Sequence, residues 1–225
     1  MDEMTLTLVD TNPQMVNAWR KVFEGDTQVT VVQASILQVR ADAWVTPTNA
    51  RAIMSGGVDA AIKNHLGAGI QARVRRAVAN AWGDAMPLGV AVCVHTGRVL
   101  PSHLISTPTM TAASEDISAT LNVALACAAA FQAARVQNRV APGSIRSLAM
   151  PGLGAGTGRV APDVCAELMW TAWRLFETHS FEGFDTVRSA LEDELGELPA
   201  PSPAPPAAHY RAPAHGYIGP RGPVL

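Results

Sequence analysis

A chain of 225 residues, 48% hydrophobic and 16% charged, has room for one sizeable domain and an appendage, and its composition excludes a wholly disordered or fibrous protein. A net charge of −2 and a pI near 6.3 give none of the basic surplus that binding to nucleic-acid phosphates needs, so nucleic acid is not an expected partner. Cys93, Cys127 and Cys165 are odd in number, far apart and without a C-x-x-C pair, which argues against a disulfide framework or zinc finger and for a reducing cytoplasm. The first ten residues carry Asp2, Glu3 and Asp10 and no basic leader, and the longest apolar run, Val123 to Phe131, is shorter than the roughly 18 residues of a membrane span. No membrane association is expected.

In chain order, Thr5 to Val9 reads as a strand that stops at Asp10-Thr11-Asn12-Pro13. A helix follows over Met15 to Phe23, with Val16, Trp19 and Phe23 at helical spacing. Gln28 to Val32 and the short buried run Ala43 to Val45 are the next strands, and Val58 to Leu66 and Ile70 to Trp82 have helix periodicity. Strands are then expected at Val90 to Val94 and Leu104 to Thr107, with Thr107 to Met110 forming a turn or, alternatively, edging the ligand cleft, and an Ala-rich, buried helix at Ser118 to Val136. Ser147 to Met150 is a further strand. Pro162 opens a helix running to about Glu177, in which Asp163 and Glu167 complement the helix dipole. This alternation predicts an α/β layered domain over residues 1–195 with a mostly parallel or mixed sheet. Residues 196–225, rich in Pro and Ala, predict an extended, mobile tail, read first as an inert extension, the alternative being a docking segment for a protein partner through its PPII character or closing Tyr217 and Ile218.

Two glycine-bearing loops join strands to helices, where ligands bind in such sheets. In the first, Thr46 to Ile62, Ser55, Gly56, Gly57 and Val58 precede a helix whose free N–H groups suit a phosphate; the alternative is a plain turn into a helix. The second is Gly152-Leu153-Gly154-Ala155-Gly156-Thr157-Gly158, with glycine at every second position. It is neither a Walker A loop, which needs Lys-Ser/Thr, nor G-x-G-x-x-G running into a helix. His65, His95 and His103 are scattered, so no metal or cofactor is expected. Trp170 and Trp173 read as packing residues, and Ser55 and Ser102 lack the G-x-S-x-G of a serine hydrolase.

The stretch Ala41-Asp42-Ala43-Trp44-Val45 through Asn49 to Gly56-Gly57-Val58-Asp59-Ala60-Ala61-Ile62, with Met150-Pro151-Gly152-Leu153-Gly154-Ala155-Gly156, resembles the macro domain family. Its counterparts there run A-D-A-I-V-N-A-A-N, then G-G-G-V-D-G-A-I, and a proline before a glycine turn. The resemblance implies a three-layer α/β/α fold that binds ADP-ribose. It implies that Asn49 bonds the distal ribose, that Gly57 and Val58 present amides to phosphate, and that Gly154 to Thr157 cradle the other side. In hydrolytic members the residue matching Asp59 directs a water, so the implied reaction is hydrolysis of ADP-ribosyl esters or O-acyl-ADP-ribose by Asn49 and Asp59. The alternative is a non-catalytic reader or sequesterer of ADP-ribose or another NAD-derived nucleotide. This chain departs from the family at Ala34-Ser35-Ile36, where G-D-I would supply an adenine-binding aspartate, so Ser35 and Ile36 are the expected adenine contacts. It also departs at Thr46 for asparagine, at Lys63 for histidine, a charge available to a phosphate, and at Gly158 for an aromatic. A third reading, a doubly wound nucleotide enzyme such as a methyltransferase, lacks glycine in the first strand-to-helix turn.

Overall fold

The computed structural model describes residues 4–196. Within them, six strands form one mixed sheet: β1 (Thr5–Asp10), β2 (Val29–Gln33), β3 (Ala43–Asn49), β4 (Val92–His95), β5 (His103–Met110) and β6 (Ser147–Met150). The spatial order is β2-β1-β6-β3-β5-β4, parallel throughout except for the antiparallel edge strand β4. The helices are α1 (Pro13–Val22), α2 (Gly57–Leu66), α3 (Gly69–Trp82), α4 (Asn122–Val140), α5 (Pro162–Thr178) and α6 (Phe184–Leu195).

Strand alternation divides the core between two faces. Leu6, Leu8, Ala43, Val45, Ile105, Leu148 and Met150 turn toward α1, α4, α5 and α6, while Val9, Trp44, Leu104 and Ala149 turn toward α2 and α3. The result is the expected α/β/α sandwich. Asn122 to Ala134 of α4 is buried continuously because this helix packs on both β5 and α5; its alanines permit that close approach. Trp173 closes this layer against Phe131, edge-on at 5.2 Å between ring centroids, and donates its indole N–H to Asp26 at 2.7 Å.

Several boundaries differ from the sequence expectation. β3 runs on through Pro47 to Asn49, and β5 through Pro108 to Met110, so Thr107 to Met110 is strand and not a turn. A proline is tolerated in β3 because β6 pairs only with Ala43 and Trp44, leaving one side of the strand free from Val45 onward. β4 begins at Val92 and ends at His95, and α4 starts at Asn122, since residues 118–121 form turns. α6 had no sequence expectation; it buries only Val187 and Leu191, too narrow a stripe to stand out from its acidic setting. The expected tail, with Tyr217 and Ile218, lies outside the described residues apart from Gly196.

Candidate functional site

The carboxyl ends of β1, β3, β5 and β6 open into a cleft of about 1690 Å³, larger than most small-molecule sites. At its centre β3 delivers Thr48 and Asn49, and the chain then turns through Gly56 and Gly57 into α2. Gly57 has φ +55°, a left-handed conformation that a side chain would strain. α2 has no side-chain cap, and its first internal bond is Ala60 N–H to the Gly56 carbonyl at 3.2 Å. The amides of Gly57, Val58 and Asp59 are therefore outside the helical ladder, at the positive end of its dipole.

Asp59 lines the cleft although it is only 5% exposed. The Thr46 hydroxyl donates to its Oδ1 at 2.6 Å. Burial pushes its carboxyl up to about 6; Thr46, then Thr48, then the charge of Lys63 pull it back. The buried Thr48 Oγ1 makes no hydrogen bond of ordinary geometry. Asn49 is occupied by its own turn: Oδ1 accepts from Arg51 N at 3.1 Å and Ile53 N at 3.3 Å, and Nδ2 donates to the Ile53 carbonyl at 3.0 Å.

The second loop forms the opposite wall. Gly152, Gly154, Ala155, Gly156, Thr157 and Gly158 line the cleft with Ser35, Ile36, Ser55, Gly56, Gly57 and Val58. Leu153 is the exception among the expected contacts: its side chain is fully buried in the core and anchors the loop from beneath. Gly154 has φ +76°, and a Cβ there would meet Ile117 at 2.9 Å. A Cβ on Gly158 would meet Ile117 at 2.7 Å and the Gly154 carbonyl at 2.8 Å, so no aromatic fits where the family often carries one.

Lys63 does not line the cleft. One turn beyond Asp59 on α2, it directs Nζ to Gln71 Oε1 at 3.5 Å, which corrects the expectation of a phosphate contact. His95 and His103, scattered in sequence, are brought ring to ring at 4.3 Å at the far end of the sheet. Ser102 also sits at that end, donating to the Asp42 carbonyl. The conspicuous Asp42 is structural, binding Arg146 N, Ser147 N and Ser147 Oγ, each at 2.9 Å, to tie β3 to β6.

Sequence reasoning missed two carboxylates. Asp10, at the end of β1, lines the cleft and accepts from Asn12 N at 2.9 Å and Gly152 N at 3.2 Å, pinning the second loop. Its position at a strand's carboxyl end was the available signal. Glu115 lies in the β5–α4 loop and accepts through one oxygen from Thr111 N at 2.7 Å and Ala112 N at 3.1 Å. No motif marks it. Among the described residues, Asp10, Asp59 and Glu115 line the cleft, while no lysine or arginine does.

No helix among the described residues is long and apolar enough to cross a membrane. The sequence pattern of the Macro domain family matches residues 45–169. An uncharacterized protein of Aquifex aeolicus is 34% identical over 169 residues, covering 75% of this chain and 93% of that protein. A macro domain-containing protein of Streptomyces nogalater is 28% identical, covering 70% and 90% respectively. Among solved structures, the macrodomain of Mycobacterium tuberculosis DarG has a TM-score of 0.54 at 20% identity, covering 64% of this chain and 89% of its own. A variant of the Oceanobacillus iheyensis macrodomain with ADPR has a TM-score of 0.52 at 17% identity, covering 72% and 90%. These likenesses show the fold, and they displace the methyltransferase-like reading even though β1, α1 and β2 do form a parallel unit. On the family match and the relative at 34% identity, the chain belongs to the macro domain family.

Proposed function

We propose that this protein binds ADP-ribose in the cleft and hydrolyses ADP-ribosyl esters or O-acyl-ADP-ribose. The observation that carries the reading is the convergence, on one cleft, of the uncapped α2 N-terminus, the glycine loop after β6 and the buried carboxylate of Asp59. In this reading the amides of Gly57 and Val58 hold the diphosphate, with Ser55 and Gly56 allowing its approach. Gly152 to Gly158 close over it, Leu153 doing so by anchoring the loop, and Ser35 and Ile36 flank the base. Asn49 positions the distal ribose. Asp59, ionised above about pH 6, accepts a proton from the attacking water.

The turn that occupies both ends of the Asn49 amide favours a second reading, a non-catalytic reader or sequesterer of ADP-ribose or another NAD-derived nucleotide. Calorimetric titration with ADP-ribose, AMP and ribose 5-phosphate tests the site: micromolar or tighter binding is expected for ADP-ribose and its loss in Gly57→Glu. Absence of ADP-ribose binding to the unaltered chain refutes the hydrolase reading and leaves only a reader of another NAD-derived nucleotide. Asp59→Ala then separates them, since hydrolysis should collapse while binding persists if Asp59 directs the water. A variant that turns over substrate at the original rate refutes that role.

A further inference from the structure

The cleft poses an electrostatic problem for the ligand just proposed. Three carboxylates line it and, among the described residues, no lysine or arginine does. Asp59 is buried and bonded to Thr46, and Asp10 uses both oxygens on backbone amides. Glu115 differs. One oxygen is committed to Thr111 N and Ala112 N, and the half-buried side chain faces the cleft.

Its place in the fold is well defined. β3 and β5 pair Asn49 with Met110, and Ala50 N donates to the Met110 carbonyl at 2.9 Å. The Glu115 oxygen is bound to the next amide along, Thr111 N, at 2.7 Å. By standard peptide dimensions the carboxylate is then no more than about 8 Å from Ala50 N, on the Asn49 side of the cleft. The loop is braced beyond it: Asp116 pairs with Arg159 at 3.2 Å, and Ile117, wedged against Gly154 and Gly158, donates its N–H to the Gly158 carbonyl at 3.0 Å. The charge is thus held between the proposed ribose site and the second glycine loop.

We propose that Glu115 is a specificity-determining residue that selects ADP-ribosylated carriers presenting a positive charge beside the modified ribose, as a polypeptide does when a Lys or Arg flanks the attachment point. The proposal rests on the ADP-ribose reading and adds the class of carrier. The carboxylate attracts such a cation across the cleft mouth and repels a phosphate-rich carrier.

The test uses the full chain and four probes at low salt: free ADP-ribose, and three ADP-ribose O-alkyl glycosides whose distal anomeric tail ends in ammonium, methyl or carboxylate. Calorimetry should give the ammonium probe an affinity about three- to tenfold above the methyl probe, and the carboxylate probe the weakest of the three. Glu115→Gln keeps an oxygen acceptor for Thr111 and Ala112 while removing the charge, so it should abolish the order and leave the methyl probe within about twofold. Glu167→Gln, an exposed acid on α5, should preserve the order. Equal affinities in the unaltered chain, a preference for the carboxylate tail as a nucleic-acid carrier would predict, or an order that survives Glu115→Gln each overturn the proposal. If ADP-ribose binds while the three tails do not differ, the carrier selection alone fails. If none of the four binds, the ADP-ribose reading fails and takes the selection with it.

Discussion

The hydroxyl of Thr46 donates a 2.6 Å hydrogen bond to Asp59 Oδ1, joining β3 to the first turn of α2 in the buried floor of the cleft. Thr46 stands where the family pattern carries asparagine, and the pairing shows how this chain holds its central carboxylate without that side chain. The bond offsets part of a larger burial cost, leaving the carboxyl raised to about 6.

That residual cost predicts a pH-dependent penalty. The folded pKa lies above the ordinary value of 3.8, so the native state retains a proton that the unfolded chain releases. Stability contributed by the protonated group is complete below about pH 4 and is lost as pH rises through about 6. Asp59→Asn should therefore stabilise the fold at pH 7.5 by up to about 3 kcal/mol and have little effect at pH 4. Denaturant melts at the two pH values check this, and an equal effect at both would contradict it.

Removing the donor should act in the opposite sense. Thr46→Val leaves one carboxylate oxygen unsatisfied, so the Asp59 pKa should rise further and stability at pH 7.5 should fall by about 1–3 kcal/mol. A carboxyl-selective NMR titration, compared with the unaltered chain, reads the shift directly. A downward shift would show that Thr46 does not support the charged form.

Two glycines of the second loop should respond differently to a single methyl. Gly158→Ala places Cβ 2.8 Å from the Gly154 carbonyl, a backbone atom that cannot rotate away, and should cost about 1–3 kcal/mol. At Gly156 nothing lies within 4 Å, so Gly156→Ala should melt within about 0.5 kcal/mol of the unaltered chain. Thermal denaturation of both variants tests whether the packing against Ile117 sets this difference.

Thiol reactivity should follow burial. Desolvation pushes Cys93 and Cys165 up to about 12 and Cys127 well above its usual value. Iodoacetamide at pH 8 should label none of the three rapidly in the native protein and all three in denaturant, as mass spectrometry would show. Fast native labelling at any of them would mean that its surroundings open.

How much of this was legible in the chain depends on the range of the forces involved. Local periodicity and turn chemistry determined the layered α/β class, most strands and helices, and the two glycine loops at strand ends, while the family resemblance singled out Asn49 and Asp59. Both loops do line one cleft. The extension of β3 and β5 through Pro47 and Pro108 was illegible because tolerance of a proline depends on which neighbouring strand is present. Only the tertiary structure decided that Leu153 turns inward, that Lys63 faces Gln71, that Gly158 packs on Gly154, and that Asp10 and Glu115 enter the cleft. Asp10 meets Gly152 because β1 pairs with β6, strands separated by most of the domain's length. Side-chain convergence of that kind is fixed by sheet order and crossover geometry, which bring together residues that no local pattern relates.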